Sequence, residues 1–424
     1  MSVLEDKSFF LSSGNAAATT DQQSVERRAL EIWERPQVRA ARERSSHYWR
    51  AAMEPDWDAG AQAMFQPAMD EYAFNYVLKA AVSDAEHPQI AQIFLPAHDS
   101  FGESVPGSRI GGDNPDNIYR FIGIAHGAAY RLHGRAEADA PTNVSYTLVA
   151  NYGCTDTVAT IESHQLDYDE DGGFVISIDD APAEGRPNHL QTRPGTCFLF
   201  IRDTLANWTS ERANRLRIER LTAPARDPLT IDEMSDRAAR AMFENVTLYY
   251  WYQRTCQFPV NGMNPAFRSG YVGGLVTQAG SFGGFRLAAD EAMIVRIDPG
   301  GARYSSIVAH DMYYRTIDAG DRPSCFNPSQ TVLGADGIAT YVFAHSDPGV
   351  ANWVDLAGLP GSIILQRWQA LPEGELRAAS AAQHVKLGEL DRLLGADVGS
   401  VTTAEREQQI EARRASYRRR LIAD

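Results

Sequence analysis

PGVANWVDLAGLPGSIILQRW, Pro348–Trp368, is written a second time, more faintly, as GRPNHLQTRPGTCFLFIRD, Gly185–Asp203. Each copy runs through a turn, an Asn followed by a ring, a short Pro/Gly loop, an apolar run and an Arg. Working outward, Asp171-Gly172 matches Asp336-Gly337, Asn188-His189 matches Asn352-Trp353, and Arg202 matches Arg367, at separations of 165, 164 and 165 residues. So constant an offset marks an internal duplication. Asp-Gly supplies the positive-φ residue of a hairpin turn. The Asn amide braces a loop, the ring beside it buries against a sheet, and Pro and Gly turn the chain into a last strand whose Arg pairs with a carboxylate or carbonyl. The phrase therefore reads first as folding information.

The segments around the two copies have β texture. IYRFIGI, AAYRLHGR, VSYTLVANYG, GFVISID, TCFLFIRD and LRIERL fill about 118–222, and AMIVRID, YSSIVAHDMYYRTI, IATYVFAH and SIILQRWQAL fill about 291–371. Residues from about 23 to 83 carry apolar side chains at helical spacing, among them Trp33, Trp49, Phe65, Met69, Tyr72 and Tyr76. Thr230 with Glu233, and Thr402 with Glu405, are capping boxes that open helices. The expected fold is mainly β with accessory α: two related β-sandwich or jelly-roll-like units, N-terminal helices, an inter-domain helix and a C-terminal helical tail. The expected boundaries are 1–95, 96–225, 226–284 (helix and Gly-rich loop), 285–372 and 373–424. The tail carries few apolar residues, which fits a solvated helix or an arm toward another subunit.

GGDNPDNIYRFIGI, DYDEDGGFVISI and NPSQTVLGADGIATYVFAHSDPGVANWVDLAGLPGSIILQRWQAL together resemble a widespread bacterial family whose C-terminal unit is known only as a domain of unknown function. An NPD-x-x-Y pattern (Asn114, Pro115, Asp116, Tyr119) opens the β region there, and a DG…PG-x-x-NW…R pattern (Asp336, Gly337, Pro348, Gly349, Asn352, Trp353, Arg367) closes it. The likeness spans roughly residues 95–222 and 285–370. It implies β-rich domains with accessory helices, often oligomeric, and no settled activity. Two departures stand out: many relatives carry export signals, and His189 occupies a position where Trp is usual.

Of 424 residues, 44% are apolar and 22% charged, the balance of a globular chain, and the length calls for more than one domain. A net charge of −15 disfavours nucleic acid and anionic membranes as partners. The N-terminal stretch has no basic, apolar leader, and no window reaches the roughly eighteen apolar residues of a spanning helix. Cys154, Cys197, Cys256 and Cys325 are scattered, as free thiols are. The cytoplasm is the expected location.

No HxH, HxxxH or HExxH pairing suggests a metal site, and adjacent His310 and Asp311 on a strand would point to opposite faces. Gly273-Gly274 and Gly283-Gly284 lie in a Gly-rich stretch without a phosphate-loop or dinucleotide motif, so no organic cofactor is expected. Ala279–Gly283 loosely fits a nucleophile elbow but leads into β texture rather than a helix. What remains are two segments dense in rings and proton-bearing groups, LYYWYQR and AHDMYYRTID. Four consecutive aromatics on a helix cannot share one core, so Tyr249, Tyr250, Trp251 and Tyr252 are expected to wall a pocket for a bulky hydrophobic, oxygenated small molecule such as a terpenoid, steroid or aromatic metabolite. His310 or Asp311 would serve as base or acid, Tyr313 or Tyr314 as proton donor, and Arg268 or Arg315 as anion clamp. Asp116 is first a turn residue and second a candidate catalytic carboxylate. The expected function is a cofactor-independent lyase, hydrolase or isomerase. The alternative is a ligand-binding or homo-oligomeric assembly protein whose rings fill interfaces.

Overall fold

The computed structural model describes residues 3–269, 277–395 and 398–421; Gly273-Gly274 lie outside these. The chain opens with three helices, α1 (Thr20–Trp33), α2 (Pro36–Ala52) and α3 (Ala59–Ala81). The first β unit contains β1 (Ile90–Ile93), β2 (His98–Ser100), β3 (Glu103–Val105), β4 (Asn117–Gly123), β5 (Tyr130–Arg135), β6 (Asn143–Val149), β7 (Thr157–Glu162), β8 (Gly173–Asp179), β9 (His189–Gln191), β10 (Phe198–Thr204) and β11 (Arg215–Arg220). Helix α4 (Ile231–Cys256) follows, opened by the Thr230/Glu233 box: Thr230 Oγ1 accepts from the Glu233 N–H at 3.2 Å and the Glu233 carboxylate accepts from the Thr230 N–H at 2.8 Å. The second unit contains β12 (Phe267–Arg268), β13 (Ala279–Phe285), β14 (Glu291–Asp298), β15 (Tyr304–His310), β16 (Cys325–Phe326), β17 (Ala339–Ala344), β18 (Trp353–Asp355), β19 (Ser362–Gln369) and β20 (Ala379–Lys386). Helices α5 (Leu390–Leu393) and α6 (Thr403–Arg418) close the chain.

The duplication is reproduced strand for strand. The first unit pairs a five-stranded sheet, β1-β4-β10-β6-β7, with a four-stranded one, β11-β5-β8-β9. The second pairs β12-β13-β19-β15-β16 with β20-β14-β17-β18. Each pair of sheets encloses its own apolar core, with Leu132, Tyr146, Ile176, Leu199 and Ile201 in the first and Val295, Ile307, Phe343, Ile364 and Trp368 in the second. The protein is thus mainly β, with two sandwich units and accessory helices. Helices α1, α3 and α4 pack on the outer face of the first five-stranded sheet, against Tyr119, Phe121, Phe198 and Phe200.

The repeated phrase builds the short parallel strand of each unit. Ser177 pairs with His189, and the equivalent Val342 with Trp353. The Asn before each ring is a brace: Asn188 exchanges both amide bonds with the Asp167 backbone at 2.8 Å, and Asn352 does the same with Val332 at 2.9 and 2.7 Å. Trp353 Nε1 donates to the Ala344 carbonyl at 3.0 Å; His189 Nε2 lies 2.9 Å from the Ala181 carbonyl and Nδ1 3.0 Å from Ser177 Oγ. His189 therefore fills the structural place of the tryptophan rather than opening a second site.

Boundaries shift at three places. The first unit begins at β1, and the second already includes β12 and β13. The stretch 379–386, expected in a helical tail, is strand β20, paired along its whole length with β14. Its Ala-rich sequence has no strand signature; the free edge of β14 imposes the conformation. The helix beyond it docks on its own chain. Arg406, Arg413 and Arg420, seven residues apart and buried, place their guanidinium groups on the carbonyls of Val350, Cys325 and Pro115. The narrow docking stripe expected of a polar helix is here made of arginine.

Asn352→Ala strands the Val332 N–H and C=O together, so we expect it to lower the unfolding free energy by about 2–3 kcal/mol, with Asn188→Ala similar. Denaturant unfolding checks this, and a loss below about 0.5 kcal/mol, the range of an ordinary surface change, would contradict the bracing role.

Candidate functional site

Strand alternation decides which residues of β10 and β19 leave the sandwich cores. On β10, Leu199 and Ile201 point into the core, while Phe200 and Arg202 point out. On β19, Ile364 and Trp368 point in, while Leu365 and Arg367 point out. Between these two outer faces and the C-terminal turns of α4 lies a cavity of about 230 Å³. Phe94, Tyr119 and Phe200 wall it from the first unit, Phe282, Tyr314 and Leu365 from the second, and Tyr249 and Tyr252 from helix α4 between them. Gly111 and Gly112 make room for those rings. Both have positive φ (64° and 71°), and a Cβ on them would stand 2.3 Å from Tyr249 and 2.4 Å from Tyr314.

Three cationic side chains face this apolar space: Lys79, Arg202 and Arg367. All are buried, and among the described residues none has a carboxylate at ion-pair distance; their partners are neutral. Lys79 Nζ donates to the Tyr152 carbonyl at 2.9 Å. Arg202 lies 3.7 Å over the Phe200 ring and reaches Thr147 Oγ1 only at 3.5 Å. Arg367 donates one guanidinium nitrogen to the Gly112 carbonyl, while its Nη1 is buried with no acceptor among the described residues. Burial lowers the pKa of Lys79 and of Arg202, and mutual repulsion among the cations adds to it. Among the described residues Asp113 is the one carboxylate on the lining. Its side chain is satisfied by the N–H and hydroxyl of Thr316, and burial pushes its pKa up to about 6, against the pull of Arg109.

The sequence-expected residues divide between cavity and framework. Tyr249, Tyr252 and Tyr314 line the cavity, and Trp251, 48% exposed, stands at its rim. Tyr250 turns the other way, edge-on to Trp49 of α2, as helical periodicity requires. Asp311 is committed to Arg315, whose guanidinium also holds Glu71; this ion-pair cluster lies off the cavity. Tyr313 donates to the Ala61 carbonyl at 2.8 Å and packs between Trp49 and Phe65. Arg268 reaches the carbonyls of Pro372 and Gly374 on the surface. His310 is fully buried behind the wall, with Nε2 2.9 Å from the Asp113 carbonyl. Burial and the neighbouring Arg367 charge push its pKa down to about 3, so it is neutral across the physiological range. Asp116 accepts from Trp208, Tyr304 and Asn327 and belongs to the junction of the units. Ala279–Gly283 lies within strand β13, not a strand-turn-helix elbow. Among the described residues no three His, Cys, Asp or Glu side chains are grouped as metal ligands, and no helix is long and apolar enough to cross a membrane.

Sequence reasoning passed over Lys79 and Asp113 and read Arg202 and Arg367 as structural. The signal for the arginines was present: both stand an even number of residues from cavity-facing Phe200 and Leu365.

No family model matches this chain, and no curated protein matches it. An uncharacterised protein from Burkholderia cenocepacia has a similar structure, with a TM-score of 0.72 and 23% identity over 85% of this chain and 100% of that one. The likeness is one of fold. A Vibrio parahaemolyticus protein aligns far more loosely, with a TM-score of 0.38 and 10% identity over 76% of this chain and 99% of that one.

Because Asp113 has a folded-state pKa near 6, above an unfolded value near 4, it contributes stability at low pH that is lost as pH rises through 6. Asp113→Asn keeps an acceptor for Thr316 and removes the titration. We expect it to gain on the wild type by about 2–3 kcal/mol between pH 4 and 7. Unfolding free energies across that range check it, and a pH-independent gap would refute it.

Proposed function

We propose that the cavity between the two units binds one bulky apolar small molecule per chain and holds an anionic group of it, a carboxylate in the simplest case, on Arg202 and Arg367. The single observation that carries this reading is the cavity-facing Arg367 Nη1, buried and without an acceptor among the described residues. An uncompensated buried charge is costly, and an anionic ligand supplies both the counter-charge and the missing acceptor. The surrounding rings supply the apolar contact. This narrows the expected hydrophobic, oxygenated ligand to an acidic one.

Cofactor-independent lyase, hydrolase or isomerase chemistry belongs to the same proposal. The groups positioned for it are those on the cavity, Asp113, Tyr119 and Tyr314, rather than Asp311 or Tyr313. The assembly alternative has less support, because Tyr249, Tyr250 and Tyr252 find their places inside the chain. Membership of the bacterial family of unknown function, inferred from the NPD-x-x-Y and DG…PG-x-x-NW…R patterns, is likewise our inference, supported by an uncharacterised structural neighbour.

Titration calorimetry with an aromatic carboxylate such as 4-methylbenzoate, beside its amide, tests the reading. The acid should bind and the amide should not, and Arg202→Gln or Arg367→Gln should weaken the acid by roughly tenfold to hundredfold, the worth of one charge-assisted hydrogen bond. Equal binding of acid and amide would overturn it.

A further inference from the structure

Of the 40 basic residues in this chain, three are lysine: Lys7, Lys79 and Lys386. Lys7 is exposed, and Lys386 is exposed and paired with Asp290 and Glu291. Lys79 is the opposite case. It sits in the last turn of α3, fully buried on the cavity lining, with the rings of Tyr76, Phe94 and Phe121 5.2–5.3 Å from its amine. Its hydrogen-bond acceptor is the neutral Tyr152 carbonyl.

A site that needs only a permanent positive charge among rings is better served by arginine, which is less strongly hydrated and stacks on aromatic faces. This chain uses arginine for the other two cavity cations. What lysine adds is the ability to lose a proton and present a lone pair. Burial disfavours the ammonium, and with the charge of Arg202 in the same cavity it outweighs the opposing pull of Cys154 and Cys197, so the pKa of this amine is lowered. The Tyr152 carbonyl accepts one N–H, which orients a neutral amine as well as it does an ammonium.

We infer that Lys79 is a carbonyl-capturing residue, whose amine condenses with an aldehyde or ketone of the ligand that Arg202 and Arg367 hold by its anionic group. The nitrogen lone pair attacks the carbonyl carbon, a C=N bond replaces C=O, and the carbonyl oxygen leaves with the two amine protons as water. No electrons are exchanged with an outside reagent. The substrate class is then an apolar or aromatic acid that also carries a carbonyl group. Once protonated, the imine draws electrons from the adjacent carbon, which is what lyase or isomerase chemistry without an organic cofactor requires. This inference rests on the anion-binding reading of the same cavity.

The test uses the full chain carrying Lys7→Arg and Lys386→Arg, which leaves Lys79 as the only side-chain amine beside the N-terminus. The protein is incubated with 4-formylbenzoate and sodium cyanoborohydride, then examined by intact mass and peptide mapping. We expect one reductive alkylation per chain at Lys79, at least tenfold faster than at the N-terminus and suppressed by excess 4-methylbenzoate. Labelling confined to the N-terminus while 4-methylbenzoate still binds would overturn the inference and leave the anion-binding reading standing. Absence of both labelling and binding would overturn the two together.

Discussion

The carboxylate of Asp116 holds this architecture in register. It is fully buried where the two units meet, and its oxygens accept from Trp208 Nε1 at 2.6 Å, Tyr304 Oη at 2.6 Å and Asn327 Nδ2 at 2.9 Å. Trp208 belongs to the first unit, Tyr304 and Asn327 to the second. Asn114, two residues earlier, donates to the same Tyr304 hydroxyl at 2.7 Å, and Arg420 beyond α6 caps the intervening Pro115 carbonyl. Burial raises the pKa of Asp116 and the convergent donors oppose it. A buried acceptor with donors from both units has one arrangement that satisfies it, and other relative placements of the sandwiches would leave it uncompensated. That arrangement sets β10 and β19 around a common space. The turn that leads into β4 is therefore also the bolt between the units, and Tyr119 of β4 continues from it into the cavity wall, its hydroxyl held by the Asn114 N–H at 2.8 Å.

The same tie explains what could be read from the sequence. Local signals were legible because they are satisfied locally. The duplicated phrase, the Asp-Gly turns, the capping boxes and the ring-bearing faces of α1 to α3 each specify a few neighbouring hydrogen bonds or one helical face. Strand β20 was not legible, since an Ala-rich edge strand takes its conformation from the partner it pairs with. The cavity was only partly legible. Tyr249 and Tyr252 could be expected there from crowding alone, and helical spacing then separates them from Tyr250. Asp311 and Arg315 carry the right functional groups for chemistry but neutralise one another together with Glu71, a pairing across 244 residues of sequence that no local pattern reveals. Lys79 was hidden by its surroundings. In YAFNYVLKAA it reads as one polar residue near the end of an apolar helix, and only the fold shows that both the helix and its lysine are enclosed.

Both repeats contribute to the walls of this one cavity. The positions correspond closely: Arg202 with Arg367, Phe200 with Leu365, Phe121 with Phe282, and Tyr119 with Gly280 through the strand pairings that place each beside its arginine. The arginine is kept on both sides and the side chain beside it is not. Tyr119 fills its half with its own ring, whereas Gly280 brings no side chain and the Phe267 ring lies 3.7 Å from where its Cβ would stand, and the Gly-rich run of β13 lets Gly283 and Gly284 pack against the backbone at Gly262 and Gln257. Retaining the cation on both faces while changing the side chain beside it gives a cavity whose two walls differ. On the proposed anion-binding reading, such an asymmetry would orient an unsymmetrical acid in one direction, which a twofold copy of either unit could not do.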